Sequence, residues 1–291
     1  MVRLAEKGRW WLIPRLAVKG LRDIDFTRGT GKVLLQLLPI LLFLAVWWMV
    51  AAIMGIPRLY PTPLMVGEEL TGIIAGESEL GSSYSHIAAT FYRLSIAFVL
   101  SFVTGAIIGL LIGRKKVLFD LFDNVGWIFF SVPAIVWAFI LVVALGITDL
   151  VPILVLMALL VPKVAIIVAE GAKATPVDIL EMANSFKTTT WQKVKDVFVP
   201  HLVPYLVASA RVSFSIGVKI IIVAEVVGLT TGIGFMVKYW FDRVFVAPLV
   251  AWGIVLVCLA LLVEYTLFDR LERRVAKWRT YAAETVQERR E

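Results

Sequence analysis

Long apolar runs alternate with short polar links along this chain of 291 residues. A helix needs about 20 mostly apolar residues to cross a hydrocarbon layer of about 30 Å. Six windows reach that length: 33–54, 88–112, 124–145, 150–169, 202–227 and 246–268. The runs are continuous rather than alternating in pairs. Each must therefore close its backbone hydrogen bonds internally as a helix, not across barrel strands. The pattern predicts an all-α integral membrane protein with six transmembrane helices. Composition agrees, because 60% of positions are apolar and only 18% are charged. So little charge cannot build the polar shell of a soluble domain of this size.

Lysine and arginine outside the windows set the orientation. Eight fall in residues 1–32, three follow the second window, four follow the fourth (Lys173, Lys187, Lys193, Lys195), and seven follow the sixth. The three links on the opposite side hold only Arg58, Lys238 and Arg243. Both termini are thus expected in the cytoplasm. The net charge of +7 reflects topology and calls for no nucleic acid. Three regions follow: a basic leader over 1–32, a membrane domain over 33–268, and a basic tail over 269–291. The leader contains RWWLIPRL, whose mixed basic and aromatic character fits the inner membrane surface. The first window is too long an apolar run, and the 32-residue basic leader too unlike a short n-region, for the first span to be expected as a cleaved signal.

Several local patterns go beyond spanning. After the first window, Thr62 suits a helix N-cap and Pro63 a first helical position. Val66, Leu70, Ile73 and Ile74 then share one face of a short outer helix. The second window spaces Ser101, Gly105, Gly109 and Gly113 four residues apart, a stripe that lets another helix approach closely. Pro133, in SVPAIVW with Trp137, should kink the third span. The loop over 171–200 is too long for a plain connector. Thr175, Pro176 and Asp178 open one helix, with Ile179, Met182, Ala183 and Phe186 on one face. After a break at the threonines 188–190, Trp191, Val194, Val197 and Phe198 mark a second, which Pro200 ends. Two amphipathic helices beside lysines form a docking surface for a soluble partner, or else a hairpin on the membrane surface.

This loop resembles the cytoplasmic signature of binding-protein-dependent ABC transporter permeases: Glu-Ala-Ala, three residues, Gly, nine residues, Ile, one residue, Leu-Pro. Glu181, Met182 and Ala183 take the first places, and Val197, Val199 and Pro200 close the motif at the expected spacing. Lys187 stands where the family has glycine. YPTP at 60–63, Ser85, Arg93 and Phe98, SVPAIVWAFILVVALG, and ARVSFSIGVKIIIVAEVVG followed by GIGF are similar to the nitrate, sulfonate and taurine subfamily. The resemblance covers roughly residues 57–268. It implies a type I ABC importer permease fold and two copies of the chain forming the pathway. It also implies two cytoplasmic ATPase subunits gripping Glu181, Met182, Ala183, Lys187, Thr189, Trp191 and Pro200, and an extracytoplasmic binding protein. ATP and magnesium would belong to the ATPase partner, with no cofactor bound by this chain.

Charges inside spans are costly and are functional candidates by default. Lys219 lies deep in the fifth window, with Ser215 one turn and Arg211 two turns before it. Lys219, Ser215 and Arg211, with Pro133 and Trp137, are the expected pathway residues, and Lys219 would attract an anion such as a sulfonate or carboxylate. The alternative for Lys219 is a structural pair with an acid elsewhere. Glu225 matches an alanine-glutamate pair of the family and is the expected outer-gate residue. Lys163 and Glu170 sit nearer the inner half.

Other activities find little support. The closest approach to a phosphate loop, GTGKV at 29–33, lacks the upstream glycine and the hydroxyl residue after lysine. Cys258 is the single cysteine, and His86 and His201 stand far apart, so no metal centre is expected. Clustered polar residues for an intramembrane enzyme are missing. A self-sufficient secondary transporter or channel remains the alternative, although neither midplane coupling carboxylates nor inverted repeats stand out.

Overall fold

The computed structural model describes residues 30–274, apart from 114–115, 175–176 and 187. The leader up to residue 29, the tail from residue 275, Thr175, Pro176 and Lys187 lie outside the described residues. Every regular element among the described residues is helical, as the continuous apolar runs predict.

The chain divides into two units, residues 1–63 and 64–291. The first holds α1 (Thr30–Met54), whose apolar side chains from Leu37 onward point outward on nearly every side. A helix hydrophobic all round is solvated by lipid, not by water. A turn through Gly55 follows, and the Trp47 indole N–H donates to the Pro61 carbonyl at 2.8 Å.

The second unit begins with α2 (Pro63–Ile74), short and amphipathic. Its buried residues are Val66 and Ile73, with Leu70 half-buried. Ile74, expected on the same face, is exposed, because eight residues on from Val66 the helix has rotated past its contact. The long helices follow: α3 (Ser83–Ile112), α6 (Leu150–Lys173), α9 (Val199–Gly228) and α11 (Val246–Val263). The expected third span is broken into α4 (Lys116–Ser131) and α5 (Ala134–Leu145), which meet at an angle of 84°. Pro133 stands at the break with extended backbone, as a residue lacking an N–H and clashing with the preceding turn would. Among the described residues, five helices are long and apolar enough to cross a membrane, or six if the bent pair is one span.

α6 is the axis of this unit, buried along most of its length. Leu94 and Ala97 of α3, Ala138 of α5, Leu156 and Leu160 of α6, and Phe214, Val218 and Ile221 of α9 form its core. The glycine stripe explains how closely α3 lies on α6. A Cβ on Gly109 would stand 2.5 Å from the Ala165 carbonyl oxygen, and one on Gly105 2.7 Å from the Val164 Cβ. In lipid, where no hydrophobic drive joins helices, such backbone proximity maximises dispersion contact.

Between α6 and α9 lies the hairpin of α7 (Val177–Ser185) and α8 (Thr190–Gln192). The second helix does not end at Pro200 as expected. It continues through a π-helical stretch, Lys193–Phe198, directly into α9. Pro200 falls in the first turn of α9, where the widened π turns already relax the i to i−4 ladder and a missing N–H is tolerated. α10 (Ile233–Asp242) joins α9 to α11, and a second π stretch, Glu264–Phe268, extends α11. The starts of α3, α6 and α11 meet the end of α9 at one end of the unit, and the hairpin lies between the opposite ends of α6 and α9.

Candidate functional site

At the end of the unit away from the hairpin, polar side chains close a network inside the apolar core. Glu225, fully buried near the end of α9, is its centre. The Arg93 guanidinium, 3% exposed, donates through Nη1 to Glu225 Oε1 at 2.8 Å. The same Nη1 donates to the Thr231 carbonyl at 2.8 Å, and Nη2 donates to Thr231 Oγ1 at 2.7 Å. Its Nε reaches Asp149 Oδ1 at 2.9 Å, tying in the residue that precedes α6. The Thr90 hydroxyl donates to Glu225 at 2.9 Å and accepts the Ile233 N–H at 2.7 Å. Gly234 N–H completes the carboxylate's shell at 2.9 Å.

The loop from Leu229 to Gly232 owes its path to this network. Gly232 has φ of +119°, and a Cβ there would meet the Glu225 carboxylate at 2.5 Å. Only glycine meets both conditions. Its N–H donates to His86 Nδ1 at 3.2 Å, which places the imidazole proton on Nε2, facing the Leu80 carbonyl at 2.9 Å. Glu225 thus sits at the end of α9 that lies away from the hairpin. Arg93 and Thr90 hold it, Asp149 engages Arg93 and His86 holds the Gly232 N–H, and none of the four is a predicted site residue. The charge of Arg93 inside an apolar run was the available signal, since a buried guanidinium needs a carboxylate. His86 carried no such signal.

The structure separates the predicted pathway residues. Ala208, Val212, Ser215 and Lys219 make one exposed stripe along α9, at helical spacings of four, three and four. Lys219 has no ion-pair partner among the described residues. Arg211 does not join the stripe's exposed face. Its guanidinium is engaged by Glu264 at 2.6 Å, by Asp269 at 3.3 Å and by Glu272. Three carboxylates on the extension of α11 saturate it, so it is a structural tie between helices. Pro133 is exposed at the α4–α5 break. Trp137 is half-buried one turn beyond, stacked on Phe129 with 5.4 Å between ring centroids. Lys163 is half-buried with its ammonium over the Phe130 ring, and Glu170 is exposed.

The hairpin shows apolar groups outward. Met182, Phe186 and Trp191 are 55%, 75% and 72% exposed, whereas Ala183 is buried. Glu181 is exposed, and its carbonyl accepts the Ser185 hydroxyl. Thr189 and Gln192 form a capping box: Gln192 Oε1 accepts the Thr189 N–H at 2.8 Å, and Thr189 Oγ1 accepts the Gln192 N–H at 3.3 Å. Thr188 closes the turn by donating its hydroxyl to the Ala183 carbonyl at 2.7 Å. The threonines therefore both interrupt the first helix and start the second.

Residues 101–277 match the model of the family described as the binding-protein-dependent transport system inner membrane component. The taurine transport system permease protein TauC of Escherichia coli is 25% identical over 259 residues, covering 88% of this chain and 90% of that protein. The nitrate import permease protein NrtB of Synechocystis is 25% identical, covering 71% of this chain and 76% of its own length. A putative aliphatic sulfonates transport permease protein, SsuC of Bacillus subtilis, is 22% identical over 92% of this chain and 95% of its own. Among solved structures, a chain of the MetNI methionine ABC transporter in an inward facing conformation superposes with a TM-score of 0.52 at 20% identity. It covers 74% of this chain and 99% of that one.

Proposed function

Because the chain belongs to the family of binding-protein-dependent transport system inner membrane components, we propose that it lines the translocation pathway of an ABC importer as one of two identical permease subunits. Six spans, counting α4 and α5 as one, form the membrane domain over 33–268, with both termini and the coupling loop 171–200 in the cytoplasm. The leader over 1–32 and the tail over 269–291 lie at the inner surface. Two ATPase subunits, which bind the ATP and magnesium, seat on the hairpin through Glu181, Met182, Ala183, Lys187, Thr189, Trp191 and Pro200. A binding protein delivers solute at the outer end. Nucleotide and loaded binding protein each favour a different packing of the bundle, which is what drives it between inward-open and outward-open states.

The observation that carries this reading is the hairpin. Met182, Phe186 and Trp191 stand exposed on a hairpin whose second helix runs without a break into α9. A push on Trp191 is therefore transmitted along the helix that bears Ser215 and Lys219. Met182→Ala with Trp191→Ala is expected to abolish ATP-dependent uptake in proteoliposomes while ATPase subunits in solution still hydrolyse nucleotide. A Thr189→Cys variant in a Cys258→Ser background should cross-link to an ATPase subunit. Full uptake by the double alanine variant would overturn the coupling role.

Substrate recognition rests on Lys219. A lysine exposed in the middle of a spanning helix cannot face hydrocarbon at tolerable cost, so it faces the second copy or a water-filled path. Taurine, nitrate and aliphatic sulfonates, the solutes named for the similar permeases, each present an anionic oxygen group. We assign this chain a small anion, drawn past Lys219 and Ser215, with Pro133 and Trp137 at the break bordering the same path and Glu225 shaping the outer gate. Lys219→Met should lower uptake at limiting solute by about tenfold or more, the equivalent of about 1.4 kcal/mol of lost attraction. Unchanged uptake with intact assembly would remove Lys219 from the path.

A further inference from the structure

The outer end of the unit also holds a cavity of about 550 Å³ that the transport reading leaves without a role. It opens between α2, the turn after it, and α10 with α11. Its floor is aromatic and apolar: Trp252 is 2% exposed, Met236 is fully buried, and Trp240 forms a wall. Its rim is acidic, carrying Glu68, Glu69, Glu77 and Glu79, and among the described residues no lysine, arginine or histidine lines it. Burial, then the carboxylates of Glu68 and Glu79, push the Glu69 carboxyl above its usual range. The Trp240 indole N–H is buried without a hydrogen-bond partner among the described residues.

We propose that this cavity receives a lysine or arginine side chain, with its peptide segment, from the extracytoplasmic binding protein. The inference rests on the permease reading above and names the docking contact that reading requires. Charge complementarity selects the occupant. Carboxylates crowded at the rim of an aromatic-lined cavity are stabilised by a cation, which also gains from any aromatic ring it reaches. A cavity of about 550 Å³ has room for a whole basic side chain with its backbone, which a bare cation would leave mostly empty.

The site is also placed to report that it is filled. The Trp252 ring meets His86 edge-on with centroids 5.9 Å apart, and His86 holds the Gly232 N–H of the loop around Glu225. The α2 side is fixed as a platform: the Ser83 hydroxyl donates to the Ile73 carbonyl at 2.6 Å and the Tyr84 hydroxyl to Ile74 at 2.5 Å. A rigid wall facing a wall tied to the outer loop suits a docking partner that must bias that loop.

The test uses the complete complex in lipid nanodiscs with its own binding protein, measuring docking affinity at low and high ionic strength. Glu69→Gln with Glu79→Gln should weaken docking by about tenfold or more and flatten its salt dependence. Glu69→Lys should abolish docking, and one Lys→Glu or Arg→Glu variant of the binding protein should restore it. Both permease variants are judged only in monodisperse complexes that retain their ATPase subunits. Unchanged affinity and salt dependence in the Glu69→Gln, Glu79→Gln complex would overturn the proposal, as would failure of every charge-reversed binding protein to rescue Glu69→Lys. Absence of any docking to the wild-type complex would instead sink the permease reading beneath it.

Discussion

Arg93→Ala is expected to destabilise the protein by about 3–5 kcal/mol, because it leaves a buried carboxylate without its cation. Glu225 would keep only the Thr90 hydroxyl and the Gly234 N–H, in a site with no access to solvent. Asp149 and the Thr231 carbonyl would lose their donor at the same time. The loss should appear as a lower melting temperature and broadened size-exclusion profile in detergent. Removing both charges, as in Arg93→Met with Glu225→Met, should recover part of the stability, since an apolar pair needs no desolvation of ions. An Arg93→Ala protein that melts like wild type would show that the network is not structural.

The second large effect is expected from Gly109→Leu. Its Cβ would be driven to 2.5 Å from the Ala165 carbonyl oxygen and 2.8 Å from the Val168 Cβ. The first of these is a backbone atom of the central helix and cannot swing aside as a side chain can. α3 and α6 must separate along the glycine stripe. Overpacking of this kind costs about 1–3 kcal/mol and sometimes more. Gly253→Ala is the matched control, because a Cβ there meets nothing within 4 Å. Thermal denaturation of the two variants should separate them clearly; equal melting would mean that the stripe does not set the packing distance.

These two effects differ in how far the sequence foretold them. The spacing of Gly105, Gly109 and Gly113 announced a close helix approach, since four-residue steps keep one face of a helix. It did not name α6 as the partner. The Arg93 network was still less visible. Its members come from positions 86 to 234, and no local period links them. The same distance in sequence hides the partners of Arg211. It stands in register with Ser215 and Lys219, yet its guanidinium reaches Glu264 and Asp269 on another helix. Pro200 failed as a stop signal because a π stretch before it removed the clash that would have ended the helix. Thr189 was legible as a break between helices, but its pairing with Gln192 appears only in the folded turn.

The sequence by itself determined the fold class, the positions of the long helices to within a few residues, the break at Pro133, and the hairpin between α6 and α9. Those follow from transfer free energy and backbone geometry, which act locally along the chain. Tertiary structure alone decided which charges are saturated and which stay exposed. Arg93 and Arg211 are spent on carboxylates from other helices, whereas Lys219 faces outward from the same α9 that supplies Glu225. Pairing a buried charge depends on distances between helices, and those are set by how the helices pack.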